Sequence, residues 1–403
     1  VKSPPGSQGR STFPKTIIPV PSILHIPGGP ILDYLIAGGN GFIGSNLIAY
    51  IMGRDPEANV INLDLSRKEV MEDHMGISQY QGRYAFKEGD VCDLSSYEHY
   101  LKISDIVINC AVESGRSHFH ERMERFIRTN IFGARVLADA CVRNNVPLLH
   151  LSTDEVYGSC PFTVQRKEES APVDPTNPYA TTRAAGERLV YLSGKMSEAP
   201  LAIVRPCEVI GPNQGVTNMI PRTIKMIREG RPPMVPSKKG ERYRDWIHVL
   251  DLCSALEIVT RSITGRVGPR VTEDHHNEHN PPGRTVISGT SVATTPRSGG
   301  QTSKPVQPIV SGVTVLNITS ENRHSLNSVV ETILSLMGSD LPIQERRDEA
   351  YTDLGYNPSG KKIAYYGWQS RYTDMRDMLR STVEWYEEHP DLIDSFHSDR
   401  LMP

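Results

Sequence analysis

Tyr34-Leu35-Ile36-Ala37-Gly38-Gly39-Asn40-Gly41-Phe42-Ile43-Gly44 runs an apolar strand into a glycine loop. Beyond it, Ser45 to Met52 reads as a helix, with Leu47, Ile48 and Ile51 at helical spacing. Gly38, Gly41 and Gly44 recur at three-residue spacing between the two elements. Small residues there let the backbone approach a pyrophosphate at the helix N-terminus, with Phe42 and Ile43 in the same turn. Alone, such glycines also suit a structural turn. Asn59 to Asp64 reads as the next strand, and it ends on an acid. A carboxylate at that point accepts hydrogen bonds from the adenosine ribose and repels a 2′-phosphate. The stretch therefore predicts a bound NAD rather than NADP.

The pattern repeats down the chain. Tyr84 to Lys87, Ile106 to Ala111, Val146 to Leu151 and Leu201 to Pro206 read as strands, with helical patterns between them, notably Phe126 to Asn144. Strand and helix in alternation predict an α/β fold: a Rossmann-type doubly wound parallel sheet. After the third strand, Gly89-Asp90-Val91-Cys92-Asp93 offers Asp90, with Val91, as an adenine contact and Asp93 as a helix N-cap. Residues 33–206 form the nucleotide-binding part, which also carries the reactive groups. Residues 207–264 and 312–395, of mixed loops and short helices, form a smaller C-terminal α/β substrate-binding part.

Two stretches break this order. Residues 1–32 hold Lys2, Arg10 and Lys15 among Pro, Ser and Gly, and the chain opens on Val1 rather than Met. That suits a fragment or a processed product, with either the tail of a mitochondrial or plastid targeting segment or a disordered extension. Residues 265–311 are rich in Ser, Thr, Pro and Gly and read as a disordered surface insertion. His275, His276 and His279 have metal-like spacing but lie in that tract, so a solvated polar segment is the better reading. His118 and His120 get the same reading, and no metal is expected.

The chain has 403 residues and a formal net charge of -3. That balance gives no support for general nucleic-acid or membrane-surface binding. No apolar run reaches the roughly 18–20 residues of a membrane span. Six cysteines without a CxxC pair read as reduced thiols of an intracellular, cytoplasmic protein.

The chemistry lies in Ser152-Thr153-Asp154-Glu155-Val156-Tyr157-Gly158, at the end of the buried run Val146 to Leu151. Strand ends are where α/β sheets bind ligands. Adjacent carboxyls repel, so unequal burial can leave one protonated and the other ionised. That pair would suit elimination of water, which needs a base at carbon and an acid for the departing hydroxyl. Carboxylates stabilising a helix N-terminus are the alternative. Tyr179 and Arg183 lie four apart and share a helix face, where a cation would lower the phenol's proton affinity.

These segments resemble the extended short-chain dehydrogenase/reductases, which are NAD-dependent epimerases and dehydratases, and most of all the dTDP-glucose 4,6-dehydratases. The resemblance covers roughly 33–265 and 312–390. It rests on Gly38 to Gly44, on Ser152 to Gly158, on Asn177-Pro178-Tyr179-Ala180 and on Arg244-Asp245-Trp246. It implies a nucleotide-sugar 4,6-dehydratase with tightly held NAD. Tyr179 would take the proton of the sugar 4-hydroxyl, with Thr153 bonding the same oxygen. Glu155 would remove the C5 proton and Asp154 would protonate the departing C6 hydroxyl. Arg244 would hold the diphosphate, and Glu113, Ser114 and Glu208 would line the substrate. The family also forms homodimers through the helix bearing the tyrosine, here Tyr179 to Leu192, where Leu189 and Leu192 stand with small Ala184, Ala185 and Gly186.

The chain departs from that pattern at four places. Arg183 stands where the family has Lys, keeping the charge but not the shape. Glu208 stands where it has Asn. Gly115-Arg116-Ser117-His118 replaces a polar segment, and Asp348 to Tyr356 replaces a basic one. Two other readings therefore stay open. One is an NAD-loaded scaffold or subunit of a larger assembly. The other is a sugar-nucleotide 4-epimerase or decarboxylase, for which intact Asp-Glu pairs are unusual.

Overall fold

Parallel strands covered on both faces read as unbroken apolar runs. The computed structural model describes residues 32–114, 119–161, 163–236, 242–265, 312–346 and 353–394. Its first six strands are β1 (Asp33–Ala37), β2 (Asn59–Asp64), β3 (Tyr84–Glu88), β4 (Ile106–Asn109), β5 (Leu148–Leu151) and β6 (Leu201–Pro206). Every residue of β4, β5 and β6 is buried. The later strands are β7 (Glu208–Ile210), β8 (Met234–Pro236), β9 (Tyr243–His248), β10 (Val313–Ile318), β11 (Asn322–Ser325) and β12 (Gln344–Arg346).

Seven strands form one parallel sheet in the order β10-β6-β5-β4-β1-β2-β3. The order reverses between β1 and β4, which opens a crevice beyond their carboxyl ends. Leu47 and Ile48 of the helix Phe42–Arg54 pack on one face with Leu256 and Val259 of the helix Val249–Ile263. Leu137 and Ala138 of the helix Ala134–Asn144 pack on the other with Val190 of the helix Pro178–Lys195. The sheet is therefore doubly wound. Two small sheets, β11-β9-β7 and β12-β8, are built from the chain beyond Pro206.

Two expectations need correction. Residues 313–318, assigned to the substrate part, pair in parallel with β6 and complete the first sheet. The helix expected over Phe126 to Asn144 is preceded by a helical stretch from Phe119 that is kinked at Arg122, and it widens to a π-helix over Ile127–Gly133. The widened turn buries Asn130, whose side chain bonds the backbone of Glu113 and the hydroxyl of Thr182. Gly186 fits against that turn, since a Cβ there would lie 1.9 Å from the Asn130 carbonyl oxygen. Its small size thus serves contact within the chain rather than between copies.

The N-terminal extension, the insertion with its histidines, Gly115 to His118 and Asp348 to Thr352 lie outside the described residues. Among the described residues no helix is long and apolar enough to cross a membrane, and no group of side chains could hold a metal. The six cysteines are unpaired.

Candidate active site

The glycine loop sits at the reversal point. Gly38 has φ +78, and a Cβ there would lie 2.6 Å from the Ala111 amide nitrogen at the end of β4. A Cβ at Gly44 would lie 2.3 Å from the Gly38 carbonyl oxygen. Side chains are thus excluded from the turn, and Gly41 starts the helix without a side-chain cap. The open amides of that N-terminus suit a pyrophosphate. Asp64 Oδ2 accepts the Asn40 amide at 2.9 Å, which fixes the acid beside the loop. Asp90 accepts the Cys92 amide at 2.8 Å and Arg128 Nη2 at 3.0 Å. Burial pushes the Asp90 carboxyl up, but these bonds outweigh it and hold the group below its usual range. Asp93 caps a short 3-10 turn by accepting the Ser95 amide. The loop, its uncapped helix and Asp64 fit a dinucleotide.

The strand end Thr153–Gly158 lies next along the sheet. β5 runs beside β6 with Leu151 opposite Val204, and the Ser152 amide continues the pairing to the Val204 carbonyl at 2.6 Å. The chain then tightens into a 3-10 turn, Asp154–Tyr157, capped by Thr153 Oγ1 accepting the Glu155 amide. A turn, unlike a strand, can direct two successive side chains into one pocket. Asp154 is 3% exposed. Burial, then Glu155 and Glu208, push its proton affinity well above the carboxylate range, against the pull of Arg244. These surroundings therefore favour the protonated form of Asp154. Glu155 Oε2 instead accepts Asn177 Nδ2 at 2.8 Å and the Tyr356 hydroxyl at 3.1 Å.

Asn177 also caps the helix Pro178–Lys195 by accepting the Ala180 amide at 2.8 Å. That places half-buried Tyr179 on its first turn, close to the strand end. One turn on, Arg183 is buried, and its Nη2 donates to the Leu151 carbonyl. Its Nε has no hydrogen-bond partner. The cation lies beneath the strand end, and it helps keep buried His150 neutral, after burial itself. Glu113 lies 3.5 Å from Arg122, and Ser114 is exposed nearby.

A family profile, the NAD dependent epimerase/dehydratase family, matches residues 34–271. The chain belongs to that family. The Haloferax volcanii protein called low-salt glycan biosynthesis protein Agl12 is 32% identical, over 88% of this chain and 98% of its own. The dTDP-glucose 4,6-dehydratase of Mycobacterium tuberculosis is 28% identical, over 88% and 93%. A crystal structure of dTDP-glucose 4,6-dehydratase from Bacillus anthracis in complex with NAD superposes with a TM-score of 0.69. It is 24% identical and covers 90% of this chain and 98% of that one. The family is NAD-dependent, and the glycine loop described above is the part of this chain that suits the cofactor.

Within the family frame, one placement differs from expectation. Arg244 does not stand free for a diphosphate. It is buried, donates to the carbonyls of Tyr243, Leu354 and Asp353, and lies 4.7 Å over the Tyr356 ring. Those carbonyls capture the guanidinium because a buried cation needs acceptors. Tyr356 and Asp353 are the site residues that sequence reasoning missed. Asp353 Oδ2 accepts Asn177 Nδ2 at 2.8 Å and the Tyr356 hydroxyl, while its Oδ1 accepts the Thr176 hydroxyl at 2.5 Å. Their only signal was a Tyr and an Asp inside a segment read as a lost basic stretch.

Proposed function

We propose that the chain is a sugar-nucleotide 4,6-dehydratase acting on dTDP-glucose or UDP-glucose. The observation that carries this reading is the unlike pair at one turn: Asp154 buried, with its proton held more tightly than usual, and Glu155 held by Asn177 and Tyr356. Elimination of water needs both an acid and a base at adjacent carbons. A scaffold has no use for a buried acid whose neighbours are also acids. The turn geometry therefore favours an enzyme over an assembly subunit.

NAD, when bound, supplies the oxidant for the sugar C4 and returns the hydride at the end. Gly38, Gly41, Phe42, Ile43 and Gly44 would hold its pyrophosphate, Asp64 its ribose, and Asp90 with Val91 its adenine. Tyr179 takes the proton of the C4 hydroxyl, and Thr153 donates its hydroxyl hydrogen to the same oxygen. A ketone at C4 acidifies the C5 proton. Glu155 removes that proton while Asp154 gives its own to the departing C6 hydroxyl. Arg183, fixed to the Leu151 carbonyl, supplies positive charge beneath the Tyr179 turn. Glu113, Ser114 and Glu208 line the sugar side.

Purified protein incubated with dTDP-glucose and with UDP-glucose is expected to give a 4-keto-6-deoxy product with one of them, read by its alkaline absorbance. Retained NAD with no product from either would support the scaffold instead. A second expectation concerns assembly. Met123, Ile127 and Leu192 are exposed on the helices beside Tyr179 and suit a homodimer. Sedimentation should show twice the chain mass at micromolar concentration, and a monomer there would refute the dimer.

A further inference from the structure

Tyr356 brings one hydroxyl hydrogen to two carboxylate oxygens. Its oxygen lies 3.1 Å from Glu155 Oε2 and also within bonding distance of Asp353 Oδ2. One hydrogen serves one acceptor well. The phenol hydrogen can therefore be given fully to only one of the two carboxylates at a time. Asp353 is the better claimant for the phenol hydrogen. The Tyr356 hydroxyl lies nearer to Asp353 Oδ2 than to Glu155 Oε2, and Asp353 is fixed in place by accepting Thr176 at 2.5 Å and Asn177 at 2.8 Å. Asn177 Nδ2 has two hydrogens, and each carboxylate lies 2.8 Å from it. The Asp353 carbonyl is in turn held by Arg244, so the segment is anchored on both sides.

We propose that Asp353 is a positioning residue for the elimination step: it draws the Tyr356 hydroxyl hydrogen away from Glu155, so that the phenol oxygen can accept a hydrogen bond from Glu155 once Glu155 has taken the C5 proton. This rests on the dehydratase reading above. The step balances. The C5–H bond breaks and an O–H bond forms at Glu155. The electron pair left at C5 forms the double bond to C6 as the C6–O bond breaks, and Asp154 protonates the leaving hydroxyl. Tyr356 and Asp353 exchange no proton; they accept and direct hydrogen bonds.

The test uses full-length, NAD-loaded protein and whichever hexose nucleotide gives product, in ordinary form and deuterated at C5. In Asp353→Asn the new amide offers its own hydrogen to the phenol oxygen, which turns the phenol hydrogen onto Glu155. Turnover should fall about tenfold or more with KM within about twofold, as for an interaction made only in the transition state. The C5 deuterium isotope effect should rise, because C5–H cleavage becomes limiting. Tyr356→Phe, which keeps the ring under Arg244, should show the same rise, and the double variant should be no worse than the worse single one. NAD content reports folding, and Tyr356→Phe carries the test should Asp353→Asn fail to fold. An unchanged isotope effect in both variants, or a change in KM alone, overturns the proposal and leaves the dehydratase reading standing. No product from the unaltered protein with either hexose nucleotide would remove that reading and this one with it.

Discussion

Replacing Asp154 with Asn is expected to lower turnover by about 10²–10⁴-fold and, at the same time, to stabilise the protein at neutral pH. Asn fills the same volume but has no proton to give the departing hydroxyl. Burial first, then Glu155 and Glu208, make Asp154 hold its proton more tightly than a free carboxyl does. In the unfolded chain the same carboxyl ionises near pH 4, at about 3.9. A group whose folded value is raised contributes fully below its unfolded value, and that contribution is lost as pH rises through the folded value. Within that window the loss is about 1.4 kcal/mol per pH unit. Asn escapes it. Denaturation midpoints of the two proteins should therefore nearly coincide in mild acid and diverge toward neutral pH, in favour of the variant. On the dehydratase reading, product formation should also fall as pH rises through the folded value of Asp154. Retained turnover, or a stability difference that ignores pH, would show that Asp154 is not the loaded acid.

The second large effect is on stability. Glu187, on the helix that carries Tyr179, receives Arg205 Nη2 at 2.5 Å on one oxygen and Nε at 3.1 Å on the other. Both residues are buried, at 5% and 4% exposure. Ser152, two residues before the turn Asp154–Tyr157, donates to the same carboxylate at 2.5 Å. Arg205 also reaches the Tyr157 hydroxyl at 2.7 Å, and that hydroxyl bonds Asn317 of β10 at 2.7 Å. Glu187→Ala leaves a buried guanidinium without its counter-charge and a hydroxyl without its acceptor. Breaking such a pair typically costs about 3–5 kcal/mol. The paired replacement Glu187→Leu with Arg205→Met removes both charges and should recover most of that loss. Urea midpoints of the three proteins decide the matter. A single variant within about 0.5 kcal/mol of the parent, the range of ordinary surface changes, would mean the pair is not holding the helix to the sheet.

Features set by neighbouring residues were legible in the sequence. The strand, glycine loop and helix over 34–52 follow from local periodicity and from glycines that a Cβ would crowd. The paired acids were visible because they are adjacent, and which of them stays protonated depends on burial that no local pattern reports. Asp353 and Tyr356 were hidden for a different reason. Tyr356 meets Glu155 across 201 positions of sequence, and Asp353 meets Asn177 across 176. Only the closed tertiary structure brings them together. The resemblance to the dehydratases implied a phosphate for Arg244, whereas its carbonyl partners at 353 and 354 come from that same distant segment. The π-helical turn at Ile127–Gly133 was read as plain helix, since one widened turn barely alters an apolar pattern.

The parallel edge strand β10 has a consequence for how the chain is made. β6 is fully buried between β5 and β10, yet β10 leaves the ribosome more than a hundred residues after it. Until then the nascent chain carries β6 as a bare, apolar edge with unmet amides and carbonyls, the kind of surface that recruits other strands. The protein is thus most exposed to mispairing between the synthesis of Pro206 and that of Ile318. A product truncated after the helix Val249–Ile263 would keep its cofactor loop and its acids and still lack the strand that closes its sheet.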